Sequence, residues 1–322
     1  MKALVCRALS ADLDTLRFED VELPALGAND ARVRIRAASV NFPDLLMVEG
    51  KYQHKPELPF VVGNEFAGVV SAVGSGVTRF RVGERVVGGG FGGAFAEETQ
   101  VSEDRLRPIP GEVDFATAAA FTTAYLTAYV SLARRGGLQP GESLLVHGAA
   151  GGVGLAAVDL GLVLGATVIA TASTEEKRSF LKEYGAHQVL PSAGFREAVK
   201  ELTEGGADVI YDPVGGDVFD ESIRSIGFGG RLLVVGFASG RIPSVPANMP
   251  LIKGFSVVGV RAGEYGRKYP EHGRENIAAI DALLADGKLR PHIGARFPLA
   301  RAVDAMRMLR ERRIVGKVAI EP

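Results

Sequence analysis

Residues 143–154, SLLVHGAAGGVG, constrain this chain more than any other stretch. A short aliphatic run at 144–147 reads as a buried strand, and it feeds a glycine-rich turn. An apolar helix is expected at 155–164, ending at Gly165. A glycine pattern between a strand and a helix is the context that cradles the pyrophosphate of a dinucleotide. Gly151 lets the backbone approach the anion, and Gly154 permits close helix–strand packing. Ala150, Gly151, Gly152 and Val153 form the turn and helix start whose N–H groups face the phosphates. The pattern is a variant, A-x-G-x-x-G, because Ala149 stands at its first position.

The next strand, 166–172, ends where an acid usually takes the ribose 2′-OH of NAD. No acid stands there; the chain reads Ser173, Thr174, Glu175, Glu176, Lys177, Arg178. The missing carboxylate removes repulsion toward a 2′-phosphate, and Lys177 or Arg178 supplies a counter-charge beside Ser173. NADPH is therefore expected over NADH. The same residues also suit the solvated first turn of an ordinary helix, where acids are favoured by the helix dipole.

A chain of 322 residues has room for two domains. Its 37 basic and 38 acidic residues nearly cancel, so bulk charge favours neither nucleic acid nor a membrane surface as partner. Cys6 is the single cysteine, which rules out an intrachain disulfide and fits a reducing compartment. The charged N-terminus is unlike a secretion signal, and no uninterrupted apolar run of about 20 residues is seen. A cytoplasmic location is expected.

Up to about residue 110 the chain reads as β-rich, with short strands and glycine turns that suggest a partly closed barrel. In 31–37, ARVRIRA, Val33 and Ile35 share one face and arginines take the other. Residues 114–135 read as one or two helices, stopped by Gly136 and Gly137. Strands are then expected at 144–147, 167–171, 188–190, 208–211, 231–235 and 256–260. Helix-length segments between them give the rhythm of a doubly wound, six-stranded parallel sheet, an α/β Rossmann fold. A helix at 271–286 and a strand at 314–320 containing Gly316 follow, in the β-rich style of the start. The expected domains are 1–123, 124–264 and a return to the first at 265–322.

This arrangement resembles the medium-chain dehydrogenase/reductase superfamily from end to end. Asn41-Phe-Pro-Asp44, Gly50-Lys-Tyr52, the GNEFAG of 63–68 and Asp212-Pro-Val-Gly-Gly216 are similar to its zinc-independent, zeta-crystallin-like quinone oxidoreductase branch. The resemblance implies a GroES-like catalytic domain and an active site in the cleft beside the nucleotide domain. Zinc-dependent members take ligands from a Cys near the position of Asn41 and from a Gly-His-Glu segment. Here that segment is Gly63-Asn64-Glu65, a neutral amide replacing the imidazole. Structural zinc needs four cysteines, and His54, His147, His187, His272 and His292 show no ligand spacing. No metal is expected, and without a Lewis acid, reduction of an electron-poor acceptor is favoured over alcohol oxidation.

By the same resemblance Tyr52 is the proton donor or anchor for an acceptor oxygen. Its alternative is a loop tyrosine whose hydroxyl serves the backbone. Asn41 fixes the nicotinamide ribose or a substrate oxygen, with Asp44 orienting Asn41 or Tyr52; Asp44 equally suits a cap on a helix starting near Leu45. Thr127 corresponds to a position near the nicotinamide amide, or bonds its own helix. Gly236 and Phe237 after the fifth strand, and Val260 after the sixth, are expected near the cofactor. Arg261 reads as a loop arginine, and Tyr265 and Lys317 are weaker candidates.

The leading expectation is an NADPH-dependent quinone reductase. Reduction of an activated C=C bond in an enal, enone or enoyl thioester is the alternative on the same scaffold, and a non-catalytic NADPH-binding protein is a third. The sixth strand, 255–260, is apolar on both faces and falls at a sheet edge, which predicts a homodimer.

Overall fold

The computed structural model describes all 322 residues. In chain order it begins with β1 (Lys2–Cys6), β2 (Leu16–Asp20) and the long β3 (Asp30–Val40). The short helix α1 (Phe42–Val48) follows, then β4 (Phe60–Val61), β5 (Glu65–Val73), β6 (Arg85–Gly89), β7 (Glu98–Ser102) and β8 (Leu106–Pro108). Helix α2 (Phe115–Tyr129) runs on into a π-helical turn, Val130–Arg135.

A parallel succession comes next: β9 (Ser143–Val146), α3 (Gly152–Val163), β10 (Thr167–Ala172), α4 (Glu175–Tyr184), β11 (Gln188–Pro191), α5 (Arg196–Leu202) and β12 (Ala207–Asp212). It continues with α6 (Gly216–Ser222), β13 (Ile226–Val234), α7 (Asn248–Lys253) and β14 (Ser256–Gly259). Helices α8 (Ala262–Lys268) and α9 (Pro270–Ala285) lead to β15 (Ile293–Pro298), α10 (Ala302–Arg310) and β16 (Lys317–Glu321).

The chain forms two compact units, Met1–Thr123 with Pro291–Pro322, and Ala124–Arg290. In the first, a seven-stranded sheet runs β15-β16-β3-β5-β6-β8, with β7 also on β3, beside a three-stranded sheet β2-β1-β4. The alternation expected in β3 sets its inner face: Ala31, Val33, Ile35 and Ala37 are buried while Arg34 and Arg36 are exposed. From Ala38 to Val40 every residue is buried, where β16 pairs with β3 antiparallel. The core here joins Leu4, Ile35, Phe66, Phe95, Met306 and Ile320, each side chain of that size contributing about 1.5–3 kcal/mol on burial.

The second unit is built on a parallel sheet of order β11-β10-β9-β12-β13-β14, as the rhythm of the sequence predicts. Leu144, Leu145 and Val146 of β9 are all fully buried, as befits a central strand covered on both faces. Strands are added outward from β9 to β11 on one side and from β12 to β14 on the other, so the carboxyl end of β9 lies at a topological switch point. The segment 265–290, expected in the return, belongs to this second unit instead. Arg134 donates to Asn276 Oδ1 at 2.7 Å and to Glu275 at 2.6 Å, and Ile280 and Leu284 of α9 are buried. The return begins only at Pro291.

One helix, Phe115–Arg135, does reach membrane-spanning length and apolarity, although the sequence shows no uninterrupted apolar run. Most of it is buried against the protein's own residues, as in the core helix of a folded domain.

The glycine turn after β9 leads into α3 at Gly151, as its spacing predicts. Gly148 takes the left-handed conformation at φ 56°, and Ala149 is buried. A Cβ on Gly154 would sit 2.3 Å from the Gly148 carbonyl oxygen, so α3 rests directly on the backbone of the turn. Gly154→Ala is therefore expected to destabilise the fold by about 1–3 kcal/mol through overpacking, measured by urea unfolding. Unchanged stability would contradict this contact.

Candidate functional site

In the β-rich unit the sequence places one amide, two carboxylates and one ammonium in a single buried cluster. Asn41 is the N-cap of α1, in extended conformation at the end of β3. Its Nδ2 donates to Glu65 Oε1 at 2.8 Å and to the Ser39 carbonyl at 3.2 Å, and its Oδ1 accepts from Lys317 Nζ at 2.5 Å. Only this orientation of the amide satisfies all three partners. Lys317, at the start of β16 and 7% exposed, also reaches Glu65 Oε1 at 3.1 Å. The second oxygen of Glu65 accepts from the Thr123 N–H at 3.0 Å.

Burial pushes the Glu65 carboxyl up, but Lys317 and the hydrogen bonds from Thr123 and Asn41 outweigh it and hold the group below the usual glutamate range. Asp44 differs. It accepts from the Asn41 N–H at 2.7 Å, its other oxygen has no partner, and burial pushes it up to about 7. The Glu65 charge adds to the rise, while the bond from Asn41 and the Lys317 charge oppose it. One cation thus serves two buried carboxylates, and Asp44 is the one that keeps a proton near neutrality.

Two expectations are corrected by this cluster. Asp44 is not the first cap of a helix starting near Leu45; it is the third residue of a helix that starts at Phe42, and its side chain returns to the Asn41 N–H. Both Asn41 side-chain donors are used internally, so the residue orients its neighbours rather than presenting a free donor to a ligand. Asp44 and Asn41 are in direct contact through the bond from the Asn41 N–H. Tyr52 stands beyond the other end of α1, its N–H on the Leu46 carbonyl at 3.1 Å. The phenol is half-buried, and its hydroxyl makes no bond to the backbone. Asn64 donates to Met47 Sδ at 3.4 Å and accepts from the Gly92 N–H at 3.1 Å.

The nucleotide unit supplies a separate set. Gly151 caps α3, and Gly152 and Val153 open it with first-turn N–H groups that have no helical partner. A Cβ on Gly151 would meet only the Gly148 oxygen, at 3.3 Å, leaving the outer side of the turn open. The site therefore fits a pyrophosphate by donor chemistry and by space. Ser173 is exposed after β10, and Thr174 caps α4 through the Lys177 N–H at 3.3 Å. Arg178 is drawn to Glu175 at 2.5 Å and to the Ala172 carbonyl at 3.3 Å. Gly236 and Phe237 follow β13, and a Cβ on Gly215 would come within 3.0 Å of the Phe237 ring. Val260 extends the pairing of β14 through its N–H to the Val234 carbonyl at 2.9 Å. Thr127 lies within α2, where its carbonyl accepts from the Ser131 hydroxyl at 2.6 Å. Arg261 is exposed, facing Glu264 at 4.0 Å.

Sequence reasoning missed His147. Its ring is buried between the Thr171 hydroxyl at 3.0 Å and the Ser222 hydroxyl at 2.8 Å, and burial pushes it down to about 3. Ser222 already donates to the Val218 carbonyl, so Nε2–H donates to Ser222 and Nδ1 accepts from Thr171. A neutral histidine thereby ties β9, β10 and α6 together just before the glycine turn. Asp212, at the end of β12, holds the next loop by accepting from the N–H groups of Val214 and Gly215. A polar residue closing an otherwise apolar strand was the available signal for both.

The Asp44 proton gives a pH dependence. Its folded pKa lies above the unfolded value near 3.9, so the fold binds the extra proton between about pH 4 and 7. That contribution is full below this window and is lost as pH rises through it. Relative to Asp44→Asn, the wild type should lose on the order of a few kcal/mol between about pH 4 and 8 by urea unfolding. A difference independent of pH would contradict the assignment.

Residues 27–111 match the alcohol dehydrogenase GroES-like domain, and residues 152–279 match the zinc-binding dehydrogenase family. A quinone oxidoreductase-like protein 2 homolog from Nematostella vectensis is 43% identical, covering 99% of this chain and 88% of its own length. A mycobacterial protein solved with NADPH superposes with a TM-score of 0.92 at 33% identity, over all of both chains. The Escherichia coli quinone oxidoreductase, solved with NADPH, gives a TM-score of 0.92 at 29% identity, also over all of both chains.

Proposed function

Because this chain belongs to the medium-chain dehydrogenase/reductase superfamily, in its zeta-crystallin-like quinone oxidoreductase branch, we propose that it is an NADPH:quinone oxidoreductase that works without zinc. The observation that carries the reading is Asn64. A zinc-dependent relative needs an imidazole there, and this amide is spent on Gly92 and Met47. No group of three or more His, Cys, Asp and Glu side chains is arranged to hold a metal ion.

NADPH, when bound, supplies the hydride. The turn of Ala150, Gly151, Gly152 and Val153 binds the pyrophosphate by backbone N–H groups, and Gly148 and Gly154 fix its shape. Ser173 and Lys177 receive the 2′-phosphate, in the absence of the acid that would repel it. Thr127, Gly236, Phe237 and Val260 are assigned to the nicotinamide half. Tyr52, whose hydroxyl has no bond to the backbone, donates to the acceptor oxygen as negative charge develops there. Asn41 and Asp44 position the start of the helix that leads to Tyr52. The edge strand β14, with Val257 37% exposed, and the exposed Phe228, Leu251 and Ile252 support a homodimer.

The direct test is turnover of NADPH against quinones, enals, enones and acyl thioesters, with and without exhaustive chelation. Quinone turnover that survives chelation is expected. Faster turnover of enals, enones or thioesters would assign the C=C chemistry instead, and no turnover with any acceptor would leave a binding protein. Tyr52→Phe should lower turnover roughly 100-fold and leave NADPH affinity intact. Unchanged rates would return Tyr52 to the loop. Lys177→Ala should weaken NADPH by about 1–2 kcal/mol and barely affect NADH, by calorimetric titration. Equal wild-type affinity for the two nucleotides would refute the 2′-phosphate assignment.

A further inference from the structure

At the amino-terminal edge of the parallel sheet lies a cavity of about 350 Å³ lined by Arg196, Lys200, Gly205, Arg224, Met249 and Lys253. Gly205 precedes β12, Arg224 precedes β13 and Lys253 precedes β14, so the cavity sits where these strands begin. The glycine turn lies at their other ends, a six-residue strand away, or about 20 Å. Four cations from three helical regions converge here, and like charges gathered on one cavity repel unless an anion sits among them.

The acids nearby offset the four charges only in part. Glu197, largely exposed, lies 3.1 Å from Arg196 Nε but outside hydrogen-bond geometry, and 3.7 Å from Lys200 Nζ. Glu221 spends both oxygens on the N–H groups of Gly194 and Arg196. The Arg224 side chain makes no ion pair. Lys253 Nζ donates to the carbonyls of Ile223 at 2.9 Å and Ile226 at 3.3 Å, which satisfies the end of α6 and leaves its charge without a carboxylate. Burial holds the Lys253 ammonium below the usual lysine range, and the charges of Lys200 and Arg196 add to the effect.

We propose that this cavity is a second ligand site, for a small multivalent oxyanion, formed by Arg196, Lys200, Arg224 and Lys253 and separate from the dinucleotide turn. Arg196 and Arg224 present forked donors to oxyanion edges, while Lys200 and Lys253 act as point charges. A phosphoester and a polycarboxylate share this chemistry.

The test is calorimetric titration of NADPH-saturated protein, whose own pyrophosphate site is filled, with sodium pyrophosphate and separately with citrate. The salt is held near 150 mM, where weak surface attraction is screened over about 8 Å. Saturable binding at one site per chain is expected, at least about 10-fold weaker in Lys200→Gln/Arg224→Gln, with NADPH affinity unchanged. Glu197→Gln, which removes the one competing carboxylate, should tighten the same probe. Tighter pyrophosphate assigns a phosphoester, and tighter citrate assigns a polycarboxylate. No saturable binding of either probe would overturn the site. So would equal affinity in the double variant, or no tightening in Glu197→Gln.

Discussion

The contact between Glu65 and Lys317 joins residues 252 positions apart and closes the β-rich unit around its polar centre. Taking both charges out of water costs several kcal/mol each, and their attraction offsets this only with well-placed hydrogen bonds. Those bonds are present: Asn41 bridges the pair, and the Thr123 N–H serves the second Glu65 oxygen. Lys317 reaches the pair because the chain returns to its first unit after the nucleotide unit, and the same return brings Leu299, Met306 and Ile320 into that unit's core. Burial forces Asp44 toward its neutral form, and the Glu65 charge adds to the effect.

The nucleotide unit rests on a different constraint, steric rather than electrostatic. Gly148 in the left-handed region and the bare backbone at Gly154 let α3 begin against the turn, which aims its free N–H groups outward. Beneath the turn, neutral His147 cross-links the neighbouring strand and helix without adding a charge near an anion site. Burial pushes His147 down and keeps the ring neutral, the form in which Nδ1 accepts from Thr171.

Local patterns in the sequence expressed most of the fold. The alternation of β3, the run of six strands and the strand–turn–helix around residue 148 depend on neighbours in sequence, and each appears where it was expected. What was not legible depends on distant partners. Lys317 read as a weak candidate because nothing near it in sequence shows that β16 carries it to Glu65. Asn41 read as a ligand-facing amide because its internal partners come from Glu65 and Lys317. The return was set at residue 265 rather than 291 because Arg134, far upstream, is what captures α9.

The structure has two polar parts: a turn suited to a dinucleotide, and a buried centre of one amide, two carboxylates and one ammonium. The central claim is that the buried Glu65–Lys317 pair organises that centre. A double-mutant cycle on Glu65→Gln and Lys317→Met, read by urea unfolding, tests it most directly. Lys317→Met alone should cost about 3–5 kcal/mol, because it strands a buried carboxylate, and adding Glu65→Gln should recover much of that loss. Strictly additive losses, or a single-variant cost under about 1 kcal/mol, would contradict the account.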